Sequence, residues 1–151
     1  MLCLKYVSED NWINVASLSV KDDQKNYVAS ALGILARGYV YRNCNSRVYV
    51  FENDGTVVGT ALVREFTEEP LGYDLQQFLI GKQYQGRGYG TTALRLILDA
   101  LRKEKHFDHV EVCVKKEDME AISLYTKNGF IDSGFIDENV PDSLNLICYL
   151  F

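Results

Sequence analysis

Read by where its apolar side chains fall, the chain switches between strand-like and helix-like periods. Residues 1 to 7 alternate enough for a first strand, and Ser8 or Asp10 is placed to cap a helix through Asn11 to Leu18. After the polar break Val20-Lys21-Asp22-Asp23, the residues Tyr27, Val28, Ala31, Leu32, Ile34 and Leu35 recur at helical spacing. That pattern predicts a second helix from about Gln24 to Arg37 with one buried face. The helix pair reads as a lid on a sheet. Arg47 to Glu52 reads as a strand, Asn53-Asp54-Gly55 as a tight hairpin turn, and Thr56 to Glu65 as the partner strand. Past the acidic loop Thr67-Glu68-Glu69-Pro70 come a strand from about Tyr73 to Ile80, a glycine-rich loop, and a helix from about Gly88 to Lys103. The packed face of that helix carries Ala93, Leu94, Ile97, Leu98 and Leu101. His109 to Val114 is another strand. Lys116-Glu117-Asp118 opens a helix with Ala121, Ile122, Leu124 and Tyr125 inward, and Asn128-Gly129 closes it with the left-handed cap that glycine prefers. Phe130 to Asp137 and Leu144 to Phe151 make a closing strand pair.

This order predicts an α/β (α+β) fold: a mixed, mostly antiparallel sheet of about seven strands with flanking helices, and a right-handed parallel crossover around the glycine loop. At 151 residues the chain has the length of one domain, 1-151, with one core. No run approaches the roughly 20 apolar residues of a membrane span, and the N-terminus has no basic region ahead of an apolar one, so the expected location is cytoplasmic.

Charge narrows the partners. A formal charge of -5 and a pI near 5.0 disfavour a nucleic-acid binder, which needs a basic face, and suit a cationic substrate. Cys3, Cys44, Cys113 and Cys148 lie far apart with no Cys-x-x-Cys pair, so neither a zinc site nor a disulfide framework is indicated. His106 and His109 have a spacing open to two metal ligands, but no acids or cysteines cluster with them; capping a helix exit is the plainer role.

The chemistry concentrates between Phe78 and Leu101. An apolar strand feeds the loop Gln85-Gly86-Arg87-Gly88-Tyr89-Gly90, and the loop starts a helix. Glycines there remove side chains that would hold an anion off, backbone N–H groups converge, and the helix N-terminus adds partial positive charge, which makes a pyrophosphate cradle. The spacing fits neither Gly-x-Gly-x-x-Gly nor the Gly-Lys-Ser/Thr loop of nucleotide triphosphatases. A glycine-rich turn serving only the fold is the plain alternative.

The pattern Gln-x-x-Gly-x-Gly at Gln85, Gly88 and Gly90 does resemble the acetyl-coenzyme A loop of the GCN5-related N-acetyltransferase (GNAT) family. A second stretch, Ala121-Ile-Ser-Leu124-Tyr125-Thr-Lys-Asn-Gly129-Phe130, resembles another signature of that family, with Asp118 where the family has asparagine. The resemblance covers essentially the whole chain. It implies an acetyl-CoA-dependent N-acetyltransferase without a metal. The backbone of Phe78, Leu79 and Ile80 would pair with the pantetheine arm, and Gln85 to Thr91 (Gln85, Gly86, Arg87, Gly88, Tyr89, Gly90, Thr91) would take the pyrophosphate. Arg87 and Lys127 would add charge, although Lys127 reads equally as a solvated helix residue. Asp118 would stand near the pantetheine.

The family's reaction is direct attack of a primary amine on the thioester. The resemblance implies a backbone N–H at about Phe78 for the carbonyl oxygen, Tyr125 as hydrogen-bond or proton donor to the leaving thiolate, and Asp74 at the position of a catalytic glutamate in some members. Tyr125 also reads as a core tyrosine, and Asp74 as a polar residue on an exposed strand face. Leu18 to Val28 is similar to the acceptor-shaping stretch of bacterial spermine/spermidine (diamine) acetyltransferases, which implies a small polyamine acceptor. Asp22, Asp23, Tyr27, Glu65 and Asp74 are the expected substrate contacts, with Glu68, Glu69 and Trp12 as further candidates. Gln76 stands where an acidic residue is expected in those enzymes. Acetylation of a protein, peptide or aminoglycoside amine, a non-catalytic acetyl-CoA sensor, and a homodimer are the other readings that the resemblance leaves open.

Overall fold

A computed structural model describes residues 1–151. Its strands are β1 (Leu2–Tyr6), β2 (Arg47–Asn53), β3 (Thr56–Glu65), β4 (Tyr73–Ile80), β5 (His109–Lys115), β6 (Ile131–Asp132) and β7 (Ser143–Tyr149). The helices are α1 (Trp12–Ala16), α2 (Ala31–Val40), α3 (Tyr89–Glu104) and α4 (Met119–Lys127). The strands form one seven-stranded sheet in the order β1-β2-β3-β4-β5-β7-β6, antiparallel throughout except for the parallel pair β4 and β5. The mixed, mostly antiparallel sheet read from the sequence is therefore the observed one.

Strand alternation distributes the core over both faces. On β2, Tyr49 and Phe51 point to the side covered by α3 and α4, whereas Val48 and Val50 point to the side covered by α1 and α2. The larger core gathers Ala93, Leu94, Ile97, Leu98 and Leu101 of α3, and these are the residues its periodicity singled out. The smaller core holds Val15, Leu18, Ala31, Ile34, Leu62 and Leu79. The β2–β3 hairpin turns at Asp54 (φ 50°) and Gly55 (φ 84°), both left-handed, as a two-residue turn between twisted strands requires.

Several elements differ from the sequence reading. The helix expected from about Gln24 begins at Ala31, capped by the Ser30 hydroxyl, which accepts from the Gly33 N–H at 3.0 Å. The preceding residues form a strap held by distant partners. The Ser19 carbonyl accepts from the Lys82 N–H at 2.7 Å, and the Ala29 N–H donates to the Gln77 side-chain oxygen at 2.8 Å. The first helix is one short segment. Asn11, rather than Ser8 or Asp10, stands before it, accepting from the Ser8 N–H and donating to the Tyr6 carbonyl. The penultimate strand shrinks to Ile131–Asp132, because Asp132 accepts from the Gly134 N–H and Gly134 takes φ 79°, which turns the chain off the sheet. The exit of α3 is closed by Lys105 in the left-handed region, not by the histidines. His106 bonds Glu65 and His109 bonds Asp108, so the two rings are held apart by separate acids.

Two irregularities shape the site. In the β3–β4 ladder Leu62 faces Gln77 and Val63 faces Leu75, which leaves Gln76 as the extra residue of a β-bulge. The parallel pairing of β4 with β5 consists of Tyr73 with Val110 and Asp74 with Glu111 only. Beyond those pairs the two strands part.

Candidate active site

The divergence of β4 and β5 opens a groove of about 260 Å³. Its walls are β4 from Leu75 to Ile80, Val112 to Val114 of β5, the glycine loop, the start of α4 and the strap residues Val20, Gln24, Tyr27 and Val28.

The ladder shows which main-chain groups face this groove. The Gly81 N–H donates to the Val58 carbonyl at 2.9 Å, so that pair is hydrogen-bonded. Because hydrogen-bonded and non-hydrogen-bonded pairs alternate between antiparallel strands, Leu79 and Gln77 are bonded to β3, whereas Phe78 and Ile80 turn their N–H and C=O away from it. The Ile80 carbonyl accordingly receives the Gln85 side chain at 2.9 Å. The Phe78 N–H faces the groove.

The loop leaves a run of main-chain donors free. Gly86 (φ 79°) and Gly88 (φ 82°) occupy the left-handed region, and a Cβ on either would meet open space, so glycine serves the backbone turn there. The first backbone bond of α3 runs from the Thr92 N–H to the Gly88 carbonyl at 3.2 Å, and no N–H from Gln85 to Thr91 donates to a protein acceptor. These amides, at the N-terminus of a sixteen-residue helix, are the free donors that a pyrophosphate requires. Arg87 is exposed beside them; Lys127, also exposed, lies outside the groove wall.

Across the groove, Asp118 caps α4 by accepting from the Ala121 N–H at 3.2 Å. Burial, opposed by that N–H, lifts its carboxyl above the ordinary value. Tyr125 is 5% exposed, its ring packed edge-on to Phe78 at 6.5 Å and against Phe130 at 5.2 Å. It lines the groove, and its hydroxyl has no hydrogen-bond partner in the protein. Burial, and then the charge of Asp118, raise the phenol above its usual pKa. Sequence reasoning thus brought Phe78, Leu79, Ile80, Gln85, Gly86, Gly88, Tyr89, Gly90, Asp118, Tyr125 and Tyr27 into one wall.

The expected acids are elsewhere. Asp22, on an exposed turn, is paired with Lys25 at 2.8 Å, and its neighbour Asp23 is also exposed. Glu65 is enclosed by Arg47 (3.1 Å), Asn45 (2.8 Å) and His106 (3.0 Å) at the far end of β3. Asp74, expected as base and substrate contact, is bound to Arg64 at 2.8 Å and does not line the groove; burial outweighs that arginine and raises its pKa. These placements correct the expected pocket: strand direction carries Glu65 and Asp74 to the closed end of the splay.

Other lining residues went unread. Glu120 receives the Gln24 amide at 3.4 Å, and Gln24 and Gln85 exchange side-chain bonds at 2.9 and 3.1 Å. Gln77 and Cys113 also face the groove. The alternation of His109 to Lys115 separates Cys113 from the buried valines, but only the splay brings it to the loop.

Comparison with known proteins follows the same geometry. Residues 12–130 match the model of the acetyltransferase (GNAT) family. The chain is 28% identical over 147 residues, 90% of it and 91% of the relative, to a probable spermine N(1)-acetyltransferase of Bacillus subtilis subsp. natto. Among solved structures it resembles the spermidine N-acetyltransferase of Vibrio cholerae, in complex with CoA and spermine, at TM-score 0.76 and 20% identity, covering 99% of this chain and 95% of that one. It also resembles a GNAT family acetyltransferase of Elizabethkingia anophelis with acetyl-CoA bound, at TM-score 0.70 and 11% identity, covering 98% and 97%. A family match that spans the strap, the bulged strand, the glycine loop and the tyrosine helix leads to one conclusion: the chain belongs to the acetyltransferase (GNAT) family.

Proposed function

We propose that the protein transfers an acetyl group from acetyl-CoA to a primary amine by direct attack in a ternary complex. The carrying observation is that the unpartnered amides from Gln85 to Thr91 and the outward main chain of Phe78 and Ile80 open on the groove that Tyr125 lines.

Acetyl-CoA supplies an activated thioester when bound. The loop amides would hold its pyrophosphate, and the Phe78 carbonyl and Ile80 N–H would offer strand-like hydrogen bonds to the pantetheine, the Ile80 carbonyl being already bonded to Gln85. The Phe78 N–H stabilises charge developing on the carbonyl oxygen, worth about 3 kcal/mol for one such donor. As the C–N bond forms and the C–S bond breaks, the Tyr125 O–H would donate a hydrogen bond to the departing sulfur, and the proton shed by the amine would end on that sulfur to give the free thiol. With its pKa raised by burial, Tyr125 acts by hydrogen bonding more than by complete proton transfer, since a thiol near 8.5 is the stronger acid. Asp118 both caps α4 and faces the groove.

Relatives named for spermine support a polyamine as the first acceptor to try. Tyr27 offers the aromatic wall such a chain would follow. Titration with acetyl-CoA should release heat, and free thiol should appear with spermidine or another amine. Binding without thiol release from any amine would identify a sensor instead, and absence of binding would overturn the proposal.

A further inference from the structure

The wall that receives the acceptor is rich in donors. Gln76 and Gln77 line the groove on the bulged strand, and the partner of each amide oxygen is a pure donor. Arg37 Nη1 donates to Gln76 Oε1 at 3.2 Å, and the Ala29 N–H donates to Gln77 Oε1 at 2.8 Å. A guanidinium and a backbone N–H cannot accept, so they fix both amides with oxygen toward them. The NH₂ group of each is left without a protein acceptor. Arg37 is half-buried on α2 and forms no ion pair with any carboxylate, and its Nε and Nη2 are unused.

The carboxylates nearby do not offset this. Asp74 is taken by Arg64, and Glu111 faces Asp74 at the closed end of the splay. The two acids that line the groove, Asp118 and Glu120, stand at the start of α4, one engaged as a helix cap and the other by Gln24. Tyr27, Val28 and Cys113 complete the acceptor side without adding charge to it. A polyammonium chain is donor-only and needs oxygen acceptors along its length. This wall offers the reverse.

Resting on the N-acetyltransferase reading above, we propose that the acceptor is an amino carboxylic acid: a small primary amine whose own carboxylate is received by the side-chain NH₂ groups of Gln76 and Gln77, with Arg37 standing behind Gln76, orienting its amide and lending positive charge to that end of the wall. Arginine suits this supporting role because its guanidinium is always charged and donor-only, and no carboxylate of the chain pairs with it. The amine then lies further along the groove, toward Phe78 and Tyr125.

The test uses the full-length protein with acetyl-CoA and reads thiol release for paired acceptors: 6-aminohexanoate against its carboxamide, leucine against leucinamide, and spermidine. The expected result is a preference for at least one free carboxylate over its carboxamide of about tenfold or more in kcat/KM. Arg37→Gln should reduce that ratio mainly through KM, and Arg37→Lys should restore part of it. Gln76→Glu, which would pair with Arg37 internally, should abolish the preference even if Arg37→Gln folds poorly. Spermidine as the best acceptor, equal rates for each carboxylate and carboxamide, or an unchanged ratio in both Arg37→Gln and Gln76→Glu would overturn the acceptor assignment while leaving the acetyltransferase intact. Failure to bind acetyl-CoA, or binding with no turnover of any amine, would overturn both.

Discussion

The Tyr125 phenol is held above its ordinary pKa by burial, with the charge of Asp118 adding to the effect. It therefore stays protonated across neutral pH and keeps a hydrogen to offer. Tyr125→Phe should lower kcat by about a hundredfold, within the range for a positioned proton donor, and leave the acetyl-CoA dissociation constant within about twofold. Unchanged turnover in a steady-state assay would remove Tyr125 from the mechanism. Asp118 makes a separable claim, because its cap bond to Ala121 belongs to folding rather than to chemistry. Asp118→Ala should cost about 1 kcal/mol in urea denaturation, and Asp118→Asn should cost far less, since both carry the capping oxygen. At this scale the sequence was informative about placement where the setting is local. Tyr125 and Asp118 belong to one helix whose pattern is continuous. Glu65 and Asp74 misled because a carboxylate's partner is a long-range fact: Arg47 and Arg64 stand on neighbouring strands that no local spacing relates to them.

Among the elements, the glycine loop carries the sharpest expectation. Gly88 sits at φ 82° with free space around its missing side chain, so Gly88→Ala should strain the backbone by about 1 to 2 kcal/mol without steric collision. The same strain should disturb the amides, weakening acetyl-CoA binding in calorimetry by about tenfold or more; full affinity would mean that the loop is only a turn. The bounds of β3 and β4 could be read directly because alternation and flanking turn residues agreed. The strap from Ser17 to Ser30 could not. Tyr27 and Val28 continue the spacing of α2, so they read as helix, but their backbone is drawn off by the bond from Ala29 to Gln77 and by Gln24 reaching Gln85. Ser30 with its Gly33 bond was the local mark of the true start. The bulge at Gln76 left no pattern of its own, since every residue around it suits a strand.

For the molecule as a whole, the buried charges on the far side from the groove govern acid tolerance. Arg47 reaches both oxygens of Glu104 at 2.6 Å and one oxygen of Glu65. Burial, the largest single influence on Glu65, pushes its pKa up, but His106, Asn45 and Arg47 together hold it below the ordinary value. A carboxyl lowered in the fold contributes stability that is present above its unfolded pKa, about 4.3, and is lost as the pH falls through the folded value. Melting temperature measured from pH 7 to pH 3 should therefore fall with a steeper acid limb in the wild type than in Glu65→Gln. Equal slopes would show that the cluster is electrostatically idle. The seven-stranded sheet was legible because apolar periodicity is a property of each segment, whereas the single core expected from chain length is two, one on each face of the sheet. The arrangement of charge across segments was not legible.

The parting of β4 and β5 after only two facing pairs, Tyr73 with Val110 and Asp74 with Glu111, has a mechanical meaning. The sheet is two panels, β1 to β4 and β5 to β7, and along most of their shared border the seam is left unstitched. Acetyl-CoA threaded there would act as the missing thread, so its presence should slow amide hydrogen exchange on both panels, far beyond the atoms it touches. At a concentration of 100 times its dissociation constant it should add about 2.7 kcal/mol to unfolding. Protection confined to the glycine loop would mean that the panels already move as one.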